Sequence, residues 1–315
     1  MSKILETIKI VIDQASLVSI DGERAVQYAK GFEHGATRHW LSAAPFDFSV
    51  FNDEEKLHFV FLFNALSFCY WGSPKWTIEY NGQTYDGAWA MIIALGRAIK
   101  AGVPLTDPAF CEQMSQKDLT KVLKGNVEIP LFEERLRIIR EIGAGAKQYT
   151  FGEIIKSAGG DAGHLLNLIL ERFPSFNDES TYLGSSVYFE KRAQLLVSDI
   201  FNIFNGKGYG KLNHIDQLTA CADYKLPQIL RKLGILKYDA RLAERIDKKN
   251  EVEHGSREEV EIRASTIHAV ELIKAEVRRR TAAMTSIEIN DHLWLMTQEK
   301  FPDDKPYHRT KTTAY

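Results

Sequence analysis

The 315-residue chain has only three cysteines, Cys69, Cys111 and Cys221, an odd number spread far apart. Without a CxxC pair, zinc ribbons and thioredoxin-type redox chemistry are excluded, and no disulfide framework is expected. The thiols read as small buried apolar groups in a reducing compartment. An excess of one charge is also missing: 40 Lys and Arg against 42 Asp and Glu give a formal net charge of -2. The isoelectric point is about 6.5. No global positive field gathers a long nucleic acid, which leaves a small ligand or a local basic patch. Long hydrophobic runs are lacking too. Phe59–Phe63 and Ala88–Leu95 are too short or too interrupted to span a bilayer. Met1 to Ile12 alternates charge with aliphatics and offers no small-residue cleavage site, so it does not read as a signal peptide. The expectation is a cytoplasmic protein with no membrane association.

Motifs are scarce as well. There is no GxxxxGK[ST], no HExxH, no GxSxG and no metal-spaced His/Cys cluster. Gly143-Ala144-Gly145-Ala146-Lys147 is therefore not a phosphate loop. The nine histidines are scattered, and each reads first as solvated or satisfied in the core. No metal and no cofactor is implied.

What is present is helical periodicity, in a chain with 44% hydrophobic and 26% charged residues. Ser256-Arg257-Glu258-Glu259 has the capping-box pattern and opens a long helix in which Val260, Ile262, Ile267, Val270, Ile273 and Val277 recur at helical spacing. Thr150-Phe151-Gly152-Glu153 does the same for a shorter one. Further helices are expected at about 54–70, 87–101, 131–142, 161–172, 187–204, 225–234 and 285–299. One hairpin stands out at 76–86, where Asn81-Gly82 supplies the positive φ angles of a type I′ turn between β-prone flanks. The glycines at 143–145 and 159–160 read as helix ends or turns. The expected fold is mainly α: a single domain over 1–315, with lobes of about 1–145 and 146–315 bounding a cleft.

Two stretches hold polar groups that this pattern does not absorb. Gly206-Lys207-Gly208-Tyr209-Gly210 reads as a hairpin between helical segments, followed by Thr219-Ala220-Cys221-Ala222-Asp223-Tyr224. Ala220 to Ala222 read as helical, with a break before Pro227. Asp223 then stands either facing a cavity or capping the helix that begins near Pro227. Asn290-Asp291-His292-Leu293-Trp294 lies in an amphipathic helix, with Leu293 and Trp294 toward the core.

Ala222-Asp223-Tyr224-Lys225-Leu226-Pro227-Gln228 resembles the Ala-Asp-Tyr-Arg-x-Pro-Gln signature of the queuosine salvage family. Other blocks follow the family in order: Phe68–Trp71, Tyr85–Trp89, Glu133–Arg135, Phe173–Ser175, Lys191–Leu195, Glu259–Arg263 and Pro306–Arg309. The likeness runs from about residue 55 to the end. It implies an all-helical fold like that of helix-hairpin-helix DNA glycosylases, and hydrolysis of queuosine 5′-phosphate to free queuine. It also implies that Asp223 is the catalytic carboxylate. Asp291, with Asn290, would meet the amine of the cyclopentene-diol arm or the base edge. Cys221 stands where the family has an aromatic, and Leu295 where it has an acid. Trp71 would stack on the base, unless it belongs to the core. The 5′-phosphate would be met by Lys191, Arg192, His308 or Arg309. Arg38 to Phe48 holds no counterpart of the family's histidine-containing segment, although His39 is nearby. The competing functions are a DNA-base glycosylase and a non-catalytic binder of a modified nucleoside or tRNA. The expected partner is a small nucleotide, with no stable nucleic-acid complex.

Overall fold

In the computed structural model, residues 2–32, 38–280 and 284–315 are described. Helices dominate, as the periodicity predicts. The first apolar layer is built from α3 (Asp53–Leu66), α4 (Gly87–Lys100), α7 (Phe132–Gln148), α8 (Phe151–Ser157), α9 (Ala162–Arg172) and α10 (Lys191–Ile203). A second cluster gathers α2 (Gly22–Lys30), α11 (Lys225–Lys232), α13 (Arg257–Arg278) and α14 (Ser286–Met296). A third joins α1 (Lys3–Gln14) to α13. Short helices α5 (Pro108–Glu112), α6 (Gln116–Val122) and α12 (Ala240–Asp247) complete the set. Among the described residues no helix is long and apolar enough to cross a membrane.

Local chemistry accounts for most helix starts. Thr150 and Glu153 form the expected capping box on α8, and Asn52 with Glu55 forms another on α3. The box expected on α13 is only half made. Ser256 accepts from the Glu259 N–H, but the Glu259 carboxylate takes the N–H of Gly255 and lies near Arg263.

Sheet is more frequent than one hairpin. β2 (Thr77–Tyr80) and β3 (Gln83–Asp86) pair around Asn81-Gly82 with φ 49° and 75°, as expected. A second hairpin, β4 (Glu179–Tyr182) with β5 (Ser185–Tyr188), turns at Leu183-Gly184 with φ 49° and 85°. Leucine there hides the usual turn signal, because positive φ is disfavoured for it. β1 (Val18–Ile20) pairs with the distant β6 (Leu236–Tyr238).

Two further expectations are corrected. Gly143 and Gly145 lie inside α7 rather than at its end. A Cβ on Gly143 would lie 2.2 Å from the Glu112 backbone nitrogen, and one on Gly145 would lie 2.4 Å from the Phe173 ring. These glycines let α5 and Phe173 approach the helix closely. Ala220–Ala222 are not helical; an irregular stretch leads from Leu218 into α11. The Gly206–Gly210 turn follows α10, but only a single 3-10 turn, Ile215–Gln217, lies between it and α11.

Candidate active site

A cavity of about 430 Å³ opens where α3, α10, α11, α14 and the β2–β3 hairpin converge. Trp40, Trp89 and Trp294 form one wall, with ring centroids 5.6, 5.3 and 5.0 Å apart. Such a cluster is an apolar surface against which a planar group can lie. The lining also carries Asp223, Cys221, Asn290, Asp291 and Lys191. Five of the sequence-derived candidates therefore share one cavity.

Asp223 does both jobs that were open to it. Its Oδ1 accepts the backbone N–H groups of Lys225 at 2.7 Å and Leu226 at 3.1 Å, which caps α11. Its Oδ2 has no hydrogen-bond partner among the described residues, and the side chain lines the cavity at 9% exposure. One oxygen is thus fixed by the helix while the other remains available to a ligand. Cys221, just before it, donates its backbone N–H to Asn290 Oδ1 at 2.9 Å. Burial pushes the Cys221 thiol far up, so it stays neutral and is no nucleophile near neutral pH.

Beside the tryptophan wall, Asn290 and Asp291 join His39 and Asp199, a pairing the sequence did not single out. Asn290 Nδ2 donates to Asp291 Oδ1 at 3.1 Å, and Asp291 Oδ2 lies 3.6 Å from His39 Nε2. The same imidazole nitrogen is 3.3 Å from Asp199 of α10. Asp199 is fully buried and also accepts from Trp40 Nε1 at 2.9 Å and Asn64 Nδ2 at 2.8 Å. Desolvation opposes charge on His39, but Asp199 and Asp291 outweigh it and raise its pKa. One imidazole thus stands between two carboxylates. Burial, which the His39 charge only partly offsets, pushes Asp291 up to about 6. The sign for stability follows. Below the unfolded carboxyl value of 3.8 this group's contribution is fully present, and it declines as pH rises through about 6.

Cations gather at the mouth. Lys75 and Lys300 flank Asp86 at 3.0 and 3.6 Å, while Lys191 and Lys225 have no carboxylate within ion-pair distance among the described residues. Lys191 is the first residue of α10, which the chain enters through Glu190 at φ 51°. Burial and then Lys75 lower the Lys225 pKa, so an anion placed beside it would be favoured.

A family model described as queuosine salvage protein matches residues 48–315. Similar over nearly the whole length is the queuosine 5′-phosphate N-glycosylase/hydrolase of Sphaerobacter thermophilus, 38% identical across 99% of this chain and 97% of that protein. The Mus musculus protein of the same name is 35% identical across 84% of this chain and 83% of its own. Its Schizosaccharomyces pombe namesake is also 35% identical, over 78% and 76%. This chain belongs to the queuosine salvage protein family.

The blocks shared with the family divide between the cavity and its support. Arg263 of α13 is fully buried, and its Nη1 donates to Asp178 Oδ1 at 2.8 Å. Its Nε donates to the Ala222 carbonyl at 3.1 Å, next to Asp223. Asp178 Oδ2 in turn accepts the Lys191 N–H at 3.2 Å. The Arg263–Asp178 pair therefore ties the Asp223 loop to the residue that brings a cation to the cavity.

Four expected ligand contacts do not reach the cavity. Trp71 is buried under Arg309 and donates its Nε1–H to the Thr310 carbonyl at 3.1 Å. The Arg192 guanidinium is used by the carbonyls of Ala65 and Ser175 between the Phe68 and Phe176 rings. Arg309 lies over Trp71, 5.7 Å from its centroid. His308 bonds Tyr315 Oη at 3.0 Å, and burial lowers its pKa to about 4, leaving it uncharged. The structure adds residues that sequence reasoning missed: His39, Asp199, Trp40, Lys75, Lys225 and Lys300. Asp199 had a faint signal, a carboxylate four residues after Leu195 on an otherwise apolar helix face.

Proposed function

We propose that this chain hydrolyses the N-glycosidic bond of queuosine 5′-phosphate, with Asp223 as the catalytic carboxylate, and releases queuine. The observation that carries the reading is that Asp223 Oδ2, on the wall of a cavity also lined by three tryptophans and by lysines, has no partner among the described residues. The names of the relatives support the same substrate and reaction.

Breaking the C1′–N bond sends its electron pair to the base and leaves positive charge shared by C1′ and the ring oxygen. A fixed carboxylate beside C1′ stabilises that charge, and water completes the reaction by adding to C1′. A preorganised group of this kind contributes about 2.7–4 kcal/mol, roughly 10²–10³ in rate. Queuine is a 7-deazapurine, so one nitrogen that could take a proton in an ordinary purine is a carbon here. Protonation helps the leaving group less, and more of the burden falls on Asp223.

The base would lie against the wall of Trp40, Trp89 and Trp294. The arm amine would meet Asp291, where two carboxylates share one imidazole and leave negative charge uncompensated. Lys191 and Lys225, which have no carboxylate within ion-pair distance among the described residues, would meet the 5′-phosphate. The free, buried cysteines suit action in the cytoplasm on a small nucleotide.

Incubating the protein with queuosine 5′-phosphate and following free queuine by chromatography tests the reading. Stoichiometric release is expected; tight binding without release would leave only a binding protein. The pH profile offers a separate check on Asp291. Its carboxylate form is lost as pH falls through about 6, so kcat/KM should fall on that acid limb. Asp291→Asn should flatten the limb and raise KM, and an unchanged profile in the variant would remove Asp291 from amine recognition.

A further inference from the structure

A second cavity of about 270 Å³ shares Lys75, Lys225, Thr297, Lys300 and Tyr307 with the first and so continues it outward. Lys232 and Lys305 line its far side, with Glu299 and Asp304. We propose that this second cavity is an anion subsite for a group joined to the substrate's 5′-phosphate, either a second phosphoryl group in anhydride linkage or a preceding nucleotide in ester linkage. The inference rests on the proposed reaction and widens its substrate class.

The local charge balance favours an anion. Lys75 and Lys300 share the single carboxylate of Asp86, and Lys232 pairs with Asp304. Lys305 lies 3.8 Å from Asp247, which is already held by both terminal nitrogens of Arg231. Lys225, on the wall common to both cavities, has no carboxylate within ion-pair distance among the described residues. Five lysines (Lys75, Lys225, Lys232, Lys300 and Lys305) thus line the cavity against two carboxylates (Glu299 and Asp304), while Asp86 and Asp247 pair with three of the lysines from beyond its lining. The excess lies along the path by which a chain would leave a phosphate seated at Lys225. A cavity lined in this way attracts phosphoryl groups through charge-assisted hydrogen bonds. Burial and the neighbouring Lys75 lower the Lys225 pKa, as a site awaiting an anion would show.

The test compares three substrates on the wild-type chain: queuosine 5′-monophosphate, its 5′-diphosphate, and a dinucleotide with queuosine at the 3′ end. The diphosphate or the dinucleotide should be cleaved with kcat/KM within about tenfold of the monophosphate, a gap of about 1.4 kcal/mol. Which of them is accepted tells a terminal phosphate from a preceding nucleotide. The double variant Lys232→Ala, Lys305→Ala should raise KM for the extended substrate about tenfold and leave the monophosphate unchanged. If the monophosphate is cleaved while both extended substrates fall about a hundredfold or more below it, the subsite is overturned. An equal effect of the double variant on all substrates would overturn it as well. Failure to cleave even the monophosphate would instead refute the reaction, and this inference with it.

Discussion

Asp223→Asn is expected to lower kcat for queuosine 5′-phosphate by about 10²–10³ while leaving the fold and KM nearly unchanged. The amide keeps an oxygen for the Lys225 and Leu226 N–H groups, and asparagine caps helices about as well as aspartate. What changes is the other atom, where a negative oxygen gives way to an NH2 group that repels the charge growing on C1′. Asp223→Ala separates the two duties of the side chain. It should lose the same turnover and, in addition, about 1 kcal/mol of stability with the cap. Steady-state kinetics with parallel thermal melts check both variants. A wild-type kcat in Asp223→Asn would remove the residue from the chemistry and leave it a cap alone.

Asp178→Ala should have the largest effect on stability. Asp178 and Arg263 are both buried, and removing the acid leaves the guanidinium with only the Glu259 carboxylate at 3.5 Å and the Ala222 carbonyl. Breaking a buried pair in this way costs about 3–5 kcal/mol, because one charge remains without adequate compensation. The damage should also reach the reaction, since the same pair holds Ala222 and the Lys191 N–H in place. Urea unfolding and kinetics on the residual folded protein measure the two effects. A loss below about 1 kcal/mol would mean that the pair is dispensable to the frame.

The sequence resolved those features that depend on neighbours in the chain. Capping residues marked α8 and α13, and Asn81-Gly82 marked the β2–β3 hairpin, because these signals are local in the backbone. The β1–β6 pair was not legible, since Val18 meets Tyr238 only after the intervening helices have packed. The β4–β5 turn was hidden by Leu183, and the glycines of α7 were misread because a close helix approach resembles a helix stop in one dimension. The site shows the same division. Asp223, Cys221, Asn290, Asp291 and Lys191 do converge on one cavity. Matched blocks did not tell a residue that meets ligand from one that holds backbone carbonyls, which is what Arg192 does. Asp199 was invisible and His39 was noted only as lying near the expected histidine segment, because their association joins segments 160 residues apart and leaves no local pattern.

A crystal structure of the Asp223→Asn variant with queuosine 5′-phosphate bound tests the central claim most directly. The side chain at 223 should point its free atom at the anomeric carbon from about 3–3.5 Å, with the base against the tryptophan wall. A ribose lying elsewhere in the cavity, with C1′ opposite Asp291 and residue 223 serving only α11, would contradict it.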